Sequence, residues 1–293
     1  MRRLAVLLLL SAMACRERAP VVVGSKNFTE SVLLGELLAQ KLEAAGCTVD
    51  RRLNLGGSVV CDKAIESGSL DAYVEYSGTA LMAILHQPMS KSRAAVDHAV
   101  AQAYSRRGLH WGPNLGFNNT FAMIVRRDDA AKRGLRTVSD LAKAQSEYRP
   151  GFGYEFAERP DGWPGLLRAY NLHFAHEPKT MDLGLTYKAL ASGEIDLIAG
   201  NSTDGLIDSL GLVALEDDRG FFPPYDAAVV YRSDVDKKCR AATRAFEQLA
   251  GTLDDAAMRR LNYEVDGKKR DVAAVVKELL SGRGSRAGAP AAR

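Results

Sequence analysis

Five side chains of complementary chemistry lie at junctions between strand-like runs and helical patterns. Three are aromatic (Tyr76, Phe121 and Tyr225) and two are cationic (Lys26 and Arg159). In α/β folds such junctions, at the carboxyl ends of strands, are where small ligands bind. Aromatic faces attract a cation, and cationic donors hold an anion. Together these residue types predict a site for a small zwitterion, and they favour binding over bond-making.

Strand-like and helix-like segments alternate along the chain, which predicts an α/β fold with largely parallel sheets. Two continuous apolar runs, 121–125 and 227–231, predict buried strands separated by one complete α/β series. The chain is therefore expected to cross twice between two lobes. We predict a first lobe of residues 19–119 and 226–282 and a second lobe of residues 120–225. A cleft between lobes joined in this way can open and close by hinge bending.

Helical spacing of apolar residues predicts helices over 163–170, 183–191 and 272–280. Near the start of the chain, Asn27 followed three residues later by Glu30 predicts a capping box at the first turn of another helix.

The two ends of the chain carry their own signals. A basic start, the apolar run Leu4–Leu10 and small residues at 12–14 predict a signal peptide over residues 1–14. Cleavage there leaves Cys15 first, which resembles the bacterial lipoprotein pattern, so we expect an exported periplasmic or cell-envelope lipoprotein; a freely exported protein is the alternative. No later run reaches the roughly 20 apolar residues of a membrane span, so a pore or permease is not expected. The tail 283–293 is predicted to be disordered.

The remaining cysteines and the histidines do not predict a metal site. Cys47, Cys61 and Cys239 are interpreted as small core residues, with a Cys47–Cys61 disulfide as the alternative. His173 and His176 have no third ligand nearby in sequence. The net charge of +3 is nearly balanced, and no basic run is long enough to predict a nucleic-acid partner. No cofactor is expected.

Several short motifs, in order along nearly the whole mature chain, resemble those of the glycine betaine/choline/carnitine-binding proteins of osmoprotectant ABC importers. They are Gly24–Glu30, Leu55–Gly57, Tyr73–Thr79, Gly116–Thr120, Phe156–Gly162, Ser202–Gly205, Leu215–Asp218, Phe221–Tyr225 and Leu261–Glu264. The resemblance implies a two-lobed, type II periplasmic-binding-protein fold. It also implies that the protein delivers a quaternary amine to a membrane permease and its ATPase.

The resemblance also assigns roles in a ligand site. Tyr76 and Tyr225 match tyrosines of an aromatic cage, and Phe121 stands at a third cage position that is usually Tyr. Asn201 stands at a fourth, where an aromatic ring is usual; Tyr154 and Trp163 are candidate replacements, and a larger ligand with a polar group is the alternative. Roles in holding the ligand carboxylate are implied for Lys26, Thr79 and Arg159, and a role for the backbone carbonyl of Asn119.

Other interpretations stay open at this point. Tyr76 and Phe121 can be core residues, Tyr225 can pin a turn, and Lys26 can be a solvated loop lysine. Arg159 can form a salt bridge with Glu155, Glu158 or Asp161. The ligand can be a different solute, such as choline, carnitine, a histidine-derived betaine or an amino acid, and a sensor subunit is a further possibility. No nucleophile elbow, phosphate loop or paired metal ligands indicate an enzyme.

Overall fold

The computed structural model describes residues 19–282, apart from the side chain of Asp208. Residues 1–14, Cys15 and 283–293 lie outside this range, so the predicted signal peptide, lipid attachment site and disordered tail stay predictions. No helix within 19–282 has the length and apolar character that crossing a membrane requires.

Within the described range, ten strands form two five-stranded sheets, which confirms the α/β class. The first sheet has the order β2-β1-β3-β10-β4 and the second β7-β6-β8-β5-β9. The strands are β1 (Val21–Gly24), β2 (Val49–Arg52), β3 (Ala72–Tyr76), β4 (Leu109–Asn118), β5 (Phe121–Arg126), β6 (Pro150–Phe152), β7 (Lys179–Thr180), β8 (Leu197–Asn201), β9 (Leu212–Leu215) and β10 (Asp226–Arg232). We call the first sheet with its helices the first lobe, and the second sheet with its helices the second lobe.

Twelve α-helical segments within residues 19–282 cover the sheets. They are α1 (Thr29–Ala44), α2 (Ser58–Glu66), α3 (Ser77–Thr79), α4 (Arg93–Arg106), α5 (Arg127–Arg133), α6 (Tyr154–Glu158), α7 (Trp163–Tyr170), α8 (Leu183–Ala191), α9 (Leu206–Ser209), α10 (Ala242–Glu247), α11 (Asp255–Asp266) and α12 (Val272–Leu280). Helix α1 packs against the three C-terminal helices α10, α11 and α12.

Each sheet contains both parallel and antiparallel strand pairs, so the prediction of largely parallel sheets is wrong. The antiparallel pairs all involve β5 or β10, the strands that follow the two changes of lobe. Strand β10 runs antiparallel to β3 and β4, and β5 runs antiparallel to β8 and β9, whereas β1 and β6 pair in parallel with both of their neighbours. The chain passes from β4 to β5 and returns from β9 to β10. We therefore propose that the chain changes lobe at the predicted boundaries, between residues 119 and 120 and between residues 225 and 226.

The cores lie on both faces of each sheet, because successive strand side chains point to opposite sides. Val21 and Val23 pack into one cluster with α1 and the C-terminal helices, whereas Val22 packs into another with α2 and α4. In the second lobe, Met123 and Ile124 divide in the same way between two clusters.

A disulfide joins Cys47, just before β2, to Cys239, which follows β10. The alternative Cys47–Cys61 pairing is therefore wrong. Cys47 is a buried core residue, as predicted, and Cys239 packs against the same core, but the two are bridged. Cys61 is free and buried, as the sequence predicted for it. The two bridged cysteines, 192 residues apart, meet because β10 runs antiparallel to β1, β2 and β3 and so ends at the end of the sheet where β2 begins. Spacing in the sequence does not reveal this.

Removing this disulfide is expected to lower the free energy of unfolding by about 2–4 kcal/mol, because a bridge that closes a long loop restricts the unfolded chain. Urea unfolding of wild type and of the double variant Cys47→Ser, Cys239→Ser, each with and without reductant, measures the effect. Reductant should destabilise wild type and the control Cys61→Ala but leave the double variant unchanged. A reductant-insensitive wild type contradicts the prediction.

Candidate functional site

A cavity of about 280 Å³ lies between the two lobes and brings together all eight residues predicted for the ligand site. These residues are Lys26, Tyr76, Thr79, Asn119, Phe121, Arg159, Asn201 and Tyr225. The first sheet and its connections supply one wall, and the second sheet with α6 and α8 supplies the other.

Strand register explains why these side chains meet. Tyr76 ends β3 and lies opposite Ala227 of β10, so it is close to Tyr225, which immediately precedes that strand. In the second sheet, Phe121 begins β5 and lies opposite Asn201, the last residue of β8. The two crossovers are themselves hydrogen-bonded, since the Asn119 amide donates to the Tyr225 carbonyl at 3.0 Å.

Six aromatic rings line the cavity, those of Phe28, Tyr76, Phe121, Tyr154, Phe156 and Tyr225. The sequence interpretation did not single out Phe28 and Phe156. Phe121 makes an edge-to-face contact with Tyr225 at 5.4 Å between centroids and another with Phe156 at 4.9 Å. Phe28 lies 6.3 Å from Tyr76. Phe28 belongs to the Gly24–Glu30 motif, so the signal for it was present, and Phe156 opens the motif that contains Arg159.

Lys26 is buried and ion-paired, so the alternative of a solvated loop lysine is wrong. Its Nζ lies 2.5 Å from Oε1 of Glu75 and 3.5 Å from the Ser58 hydroxyl. The same ammonium stands 4.5 Å from the Tyr76 ring centroid and 5.5 Å from that of Phe28. Burial raises the pKa of Glu75, and Lys26 opposes that rise. A glutamate inside a buried strand needs such a partner, but the sequence does not say which one.

Arg159 lines the cavity and also forms the salt bridge that was its alternative interpretation. Its Nε and Nη2 donate to the two oxygens of Asp161 at 2.9 and 2.5 Å. Its Nη1 donates across the lobes to the Thr79 hydroxyl at 3.2 Å, and the guanidinium lies 5.3 Å from the Phe121 centroid. The Tyr225 hydroxyl donates to the same carboxylate at 2.5 Å. One buried aspartate thus orients both a cation and a ring of the site.

Glu30 is buried, and its carboxylate accepts hydrogen bonds from both lobes, so the predicted capping box with Asn27 is wrong. Helix α1 begins at Thr29, and no side chain caps its first turn. The Glu30 carboxylate instead accepts hydrogen bonds from the Tyr76 hydroxyl at 2.6 Å and from the side-chain Nδ2 of Asn119 at 2.7 Å. It also accepts from the Thr203 hydroxyl at 2.5 Å and the Asn262 amide at 2.9 Å.

These bonds connect four parts of the molecule, since Thr203 follows β8 in the second lobe and Asn262 lies on α11 in the first. Burial raises the pKa of Glu30, and the four donors oppose that rise. The sequence reasoning missed this residue because an acidic residue at the start of a helix is usually a surface cap.

Asn201 is held in place by a neighbouring acid. Its backbone amide donates to Oδ2 of Asp204 at 2.8 Å, and the Tyr187 hydroxyl donates to the same oxygen. Of the two candidate replacement rings, Tyr154 lines the cavity with 61% of its surface exposed. Trp163 does not line it: its ring packs in the core of the second lobe, 4.7 Å from Phe152, so that suggestion is wrong.

The lobes also meet at the mouth of the cavity through Glu155. Its Oε1 accepts a hydrogen bond from the backbone amide of Ser58, the first residue of α2, at 2.8 Å. An acidic group suits this position, because the first amides of a helix lack intrahelical partners. The contact depends on Gly57, where a Cβ would stand only 2.1 Å from the same oxygen.

The titration of Asp204 is expected to make stability depend on pH. Burial raises its pKa to about 7, whereas an unfolded aspartate has a pKa of about 3.9. Between these values the folded state binds more protons, so the free energy of unfolding should rise as the pH falls from about 8 toward 4. In Asp204→Asn this contribution is absent.

Urea unfolding at pH 5.5, 7 and 8.5 measures the effect, with Asp128→Asn as the control at an exposed position. Relative to wild type, Asp204→Asn should gain stability with each step to higher pH, and the control should not. Parallel pH profiles for wild type and Asp204→Asn contradict the prediction.

Three comparisons place the chain among known proteins. Residues 19–282 match the family model described as "Substrate binding domain of ABC-type glycine betaine transport system". The "Glycine-betaine-binding protein" of Pseudomonas aeruginosa is 35% identical over 268 residues, which cover 88% of this chain and 86% of that protein. A solved structure titled "Crystal structure of glycine betaine/carnitine/choline ABC transporter" is 31% identical, with a TM-score of 0.73 over 89% of this chain and 98% of that one.

A second relative differs in length. The "Ergothioneine transport permease/ergothioneine binding protein EgtU" of Helicobacter pylori is 36% identical over 269 residues, but these cover 90% of this chain and only 48% of that protein. Both relatives carry the names of transport proteins. Because the family model spans both lobes and the cavity between them, the chain belongs to the substrate-binding domains of ABC-type glycine betaine transport systems, with their two-lobed, type II fold.

Proposed function

We propose that this protein binds a glycine betaine-like zwitterion in the interlobe cavity and delivers it to an ABC permease and its ATPase. One observation carries the proposal: the rings and the cationic donors predicted for the ligand surround a single cavity between the lobes. We propose that the cavity binds its ligand without catalysing a reaction on it. We also propose export by the signal peptide and attachment of the periplasmic or cell-envelope protein through a lipid on Cys15.

The cation of the ligand is held by ring faces. A quaternary ammonium has no N–H, so it is attracted by the negative faces of aromatic rings and packs its methyl groups against them. Tyr76, Phe121 and Tyr225 supply these faces, and Phe28 adds a fourth ring beside Tyr76. At about 1–2 kcal/mol for each desolvated contact, three rings contribute roughly 3–6 kcal/mol.

The carboxylate of the ligand is held by donors that remain after the internal pairing. Arg159 uses Nε and Nη2 on Asp161, which leaves Nη1 as the end of the guanidinium that reaches Thr79. Because the Thr79 oxygen accepts from Arg159, its own hydroxyl proton is free to donate to the ligand. Lys26 has three N–H donors, of which Glu75 takes one at short distance.

The charges around the cavity favour a zwitterion over an anion. Lys26 is balanced by Glu75 and Arg159 by Asp161, so the pairs add directional donors with little net positive charge. The Glu155 carboxylate then gives the lining an excess of negative charge, which suits a ligand that carries its own cation. Choline, carnitine, a histidine-derived betaine or an amino acid is the alternative solute, with the cavity altered at Asn201.

Replacing one ring by an aliphatic side chain of similar bulk should weaken binding of glycine betaine about five- to thirtyfold. Calorimetric titration of Phe121→Leu and Tyr225→Leu tests this, with Phe121→Tyr as the control that keeps the aromatic face. Wild type should also bind glycine betaine more tightly than choline. Unchanged affinity in both leucine variants contradicts the cage, and tighter binding of choline contradicts the carboxylate role.

Loss of the contact across the mouth should weaken binding by destabilising the closed state. A capping interaction of this kind contributes about 1 kcal/mol, so Glu155→Ala is expected to raise the Kd for glycine betaine about three- to tenfold. Glu158→Ala is the matched control, because it removes the same charge from an exposed position on the same helix. Equal affinities of the two variants contradict a role for Glu155 in closure.

A further inference from the structure

A second, larger chamber opens beside the interlobe cavity. Its volume is about 450 Å³, and its walls come from α1, α11 and α12 of the first lobe and from α8, β8 and the following loop of the second. Phe28, Leu183, Ala199 and Asn201 line both spaces, so the chamber continues the cavity. We call it the lateral chamber.

The walls of the lateral chamber combine apolar side chains with acceptors. Leu206, Val265 and Val272 provide apolar surface. Within residues 19–282, the hydrogen bonds to Asp204 all engage Oδ2, and Asp266 accepts from the Thr29 hydroxyl through Oδ1. Each carboxylate therefore keeps an oxygen that can accept from a ligand.

The charged residues around the lateral chamber also favour one kind of ligand side chain. Asp204, Asp266 and Glu30 face a single lysine, Lys269, among the lining residues. The oxygens of Glu30 already accept four hydrogen bonds, so it contributes charge more than acceptor capacity. Such walls suit an apolar group that ends in a hydrogen-bond donor, whereas they offer an anionic group a single cation, Lys269.

We propose that the lateral chamber receives the side chain of an N,N,N-trimethylated α-amino acid whose arm ends in a hydrogen-bond donor. This inference rests on the proposed function, since the ammonium and carboxylate occupy the interlobe cavity. In such a betaine both charges are attached to the α carbon. A substituent on that carbon extends away from the head group without changing the distance between the two charges. Asn201, which lines both spaces, lies where this substituent enters the lateral chamber. Glycine betaine has no such arm.

Gly184 offers a way to close the chamber without touching the cavity. It lies on α8 and lines the lateral chamber but not the interlobe cavity, and a Cβ at this position would meet no atom of residues 19–282 within 4 Å. A phenylalanine at this position can therefore occupy the chamber at little cost to folding. Gly184→Ala is the matched control, because it makes the same backbone change and leaves the space open.

The test is calorimetric titration of wild type, Gly184→Phe and Gly184→Ala with three betaines that share one head group: glycine betaine, trimethylalanine and trimethylhistidine. Wild type and Gly184→Ala should bind trimethylhistidine at least tenfold more tightly than trimethylalanine. In Gly184→Phe this advantage should disappear, while the affinity for glycine betaine stays within about twofold in all three proteins. Asp204→Asn should reduce the advantage, because the single amide oxygen is used by the donors that engage Oδ2 and an NH2 group then replaces the acceptor that faces the chamber.

If glycine betaine binds, the proposed function stands, and either of two results overturns the inference alone. In the first, wild type binds trimethylhistidine no more tightly than trimethylalanine; in the second, the preference for trimethylhistidine persists in Gly184→Phe. Tighter binding of trimethylglutamate than of trimethylhistidine overturns the choice of a donor arm. If wild type binds none of the betaines, the proposed function itself fails, and the inference fails with it.

Discussion

The buried carboxylate of Glu30 is the interaction on which the arrangement of the site depends. Taking a carboxylate out of water is costly unless hydrogen bonds replace the lost solvation. Here the four donors come from a strand end, a crossover, a loop of the second lobe and a C-terminal helix. Satisfying one charge therefore fixes the Tyr76 ring and the Asn119 crossover relative to both lobes. The carboxylate is a constraint on geometry more than a source of stability.

The same logic applies to the two cations. A cation held by a partner such as Asp161 or Glu75 has already lost much of its side-chain freedom, so binding a ligand orders it less. The pairing also extends to the rings, because Asp161 accepts from both Arg159 and Tyr225. Ring faces and donors are thus positioned by shared acids, and removing one acid is expected to disturb both parts of the site.

Helices whose apolar residues repeat at helical spacing were predicted well from the sequence. The predicted helices 163–170, 183–191 and 272–280 have the bounds of α7, α8 and α12. Strand β4 was missed because Gly112 and Pro113 interrupt its pattern, which is tolerated since β4 lies at the edge of its sheet. All eight predicted site residues line the cavity. Of their acidic partners, only Asp161 was anticipated, as one of three alternatives for Arg159, whereas the pairings with Glu30, Glu75 and Asp204 were not. Such pairings depend on tertiary proximity, as does the Cys47–Cys239 disulfide.

Asn201 shows how a change of one residue type can alter the size of a site. Strand register places it directly opposite Phe121, so the position belongs to the cavity wall whatever residue occupies it. A broad ring there would add a face to the cage and a barrier toward the neighbouring space. Asparagine removes both, and Asp204 holds its backbone while the lateral chamber continues beyond it. Under the two proposals above, weaker binding of a compact betaine and space for one with a longer side chain are both expected from the same residue. The affinity for glycine betaine measures only the first of these effects.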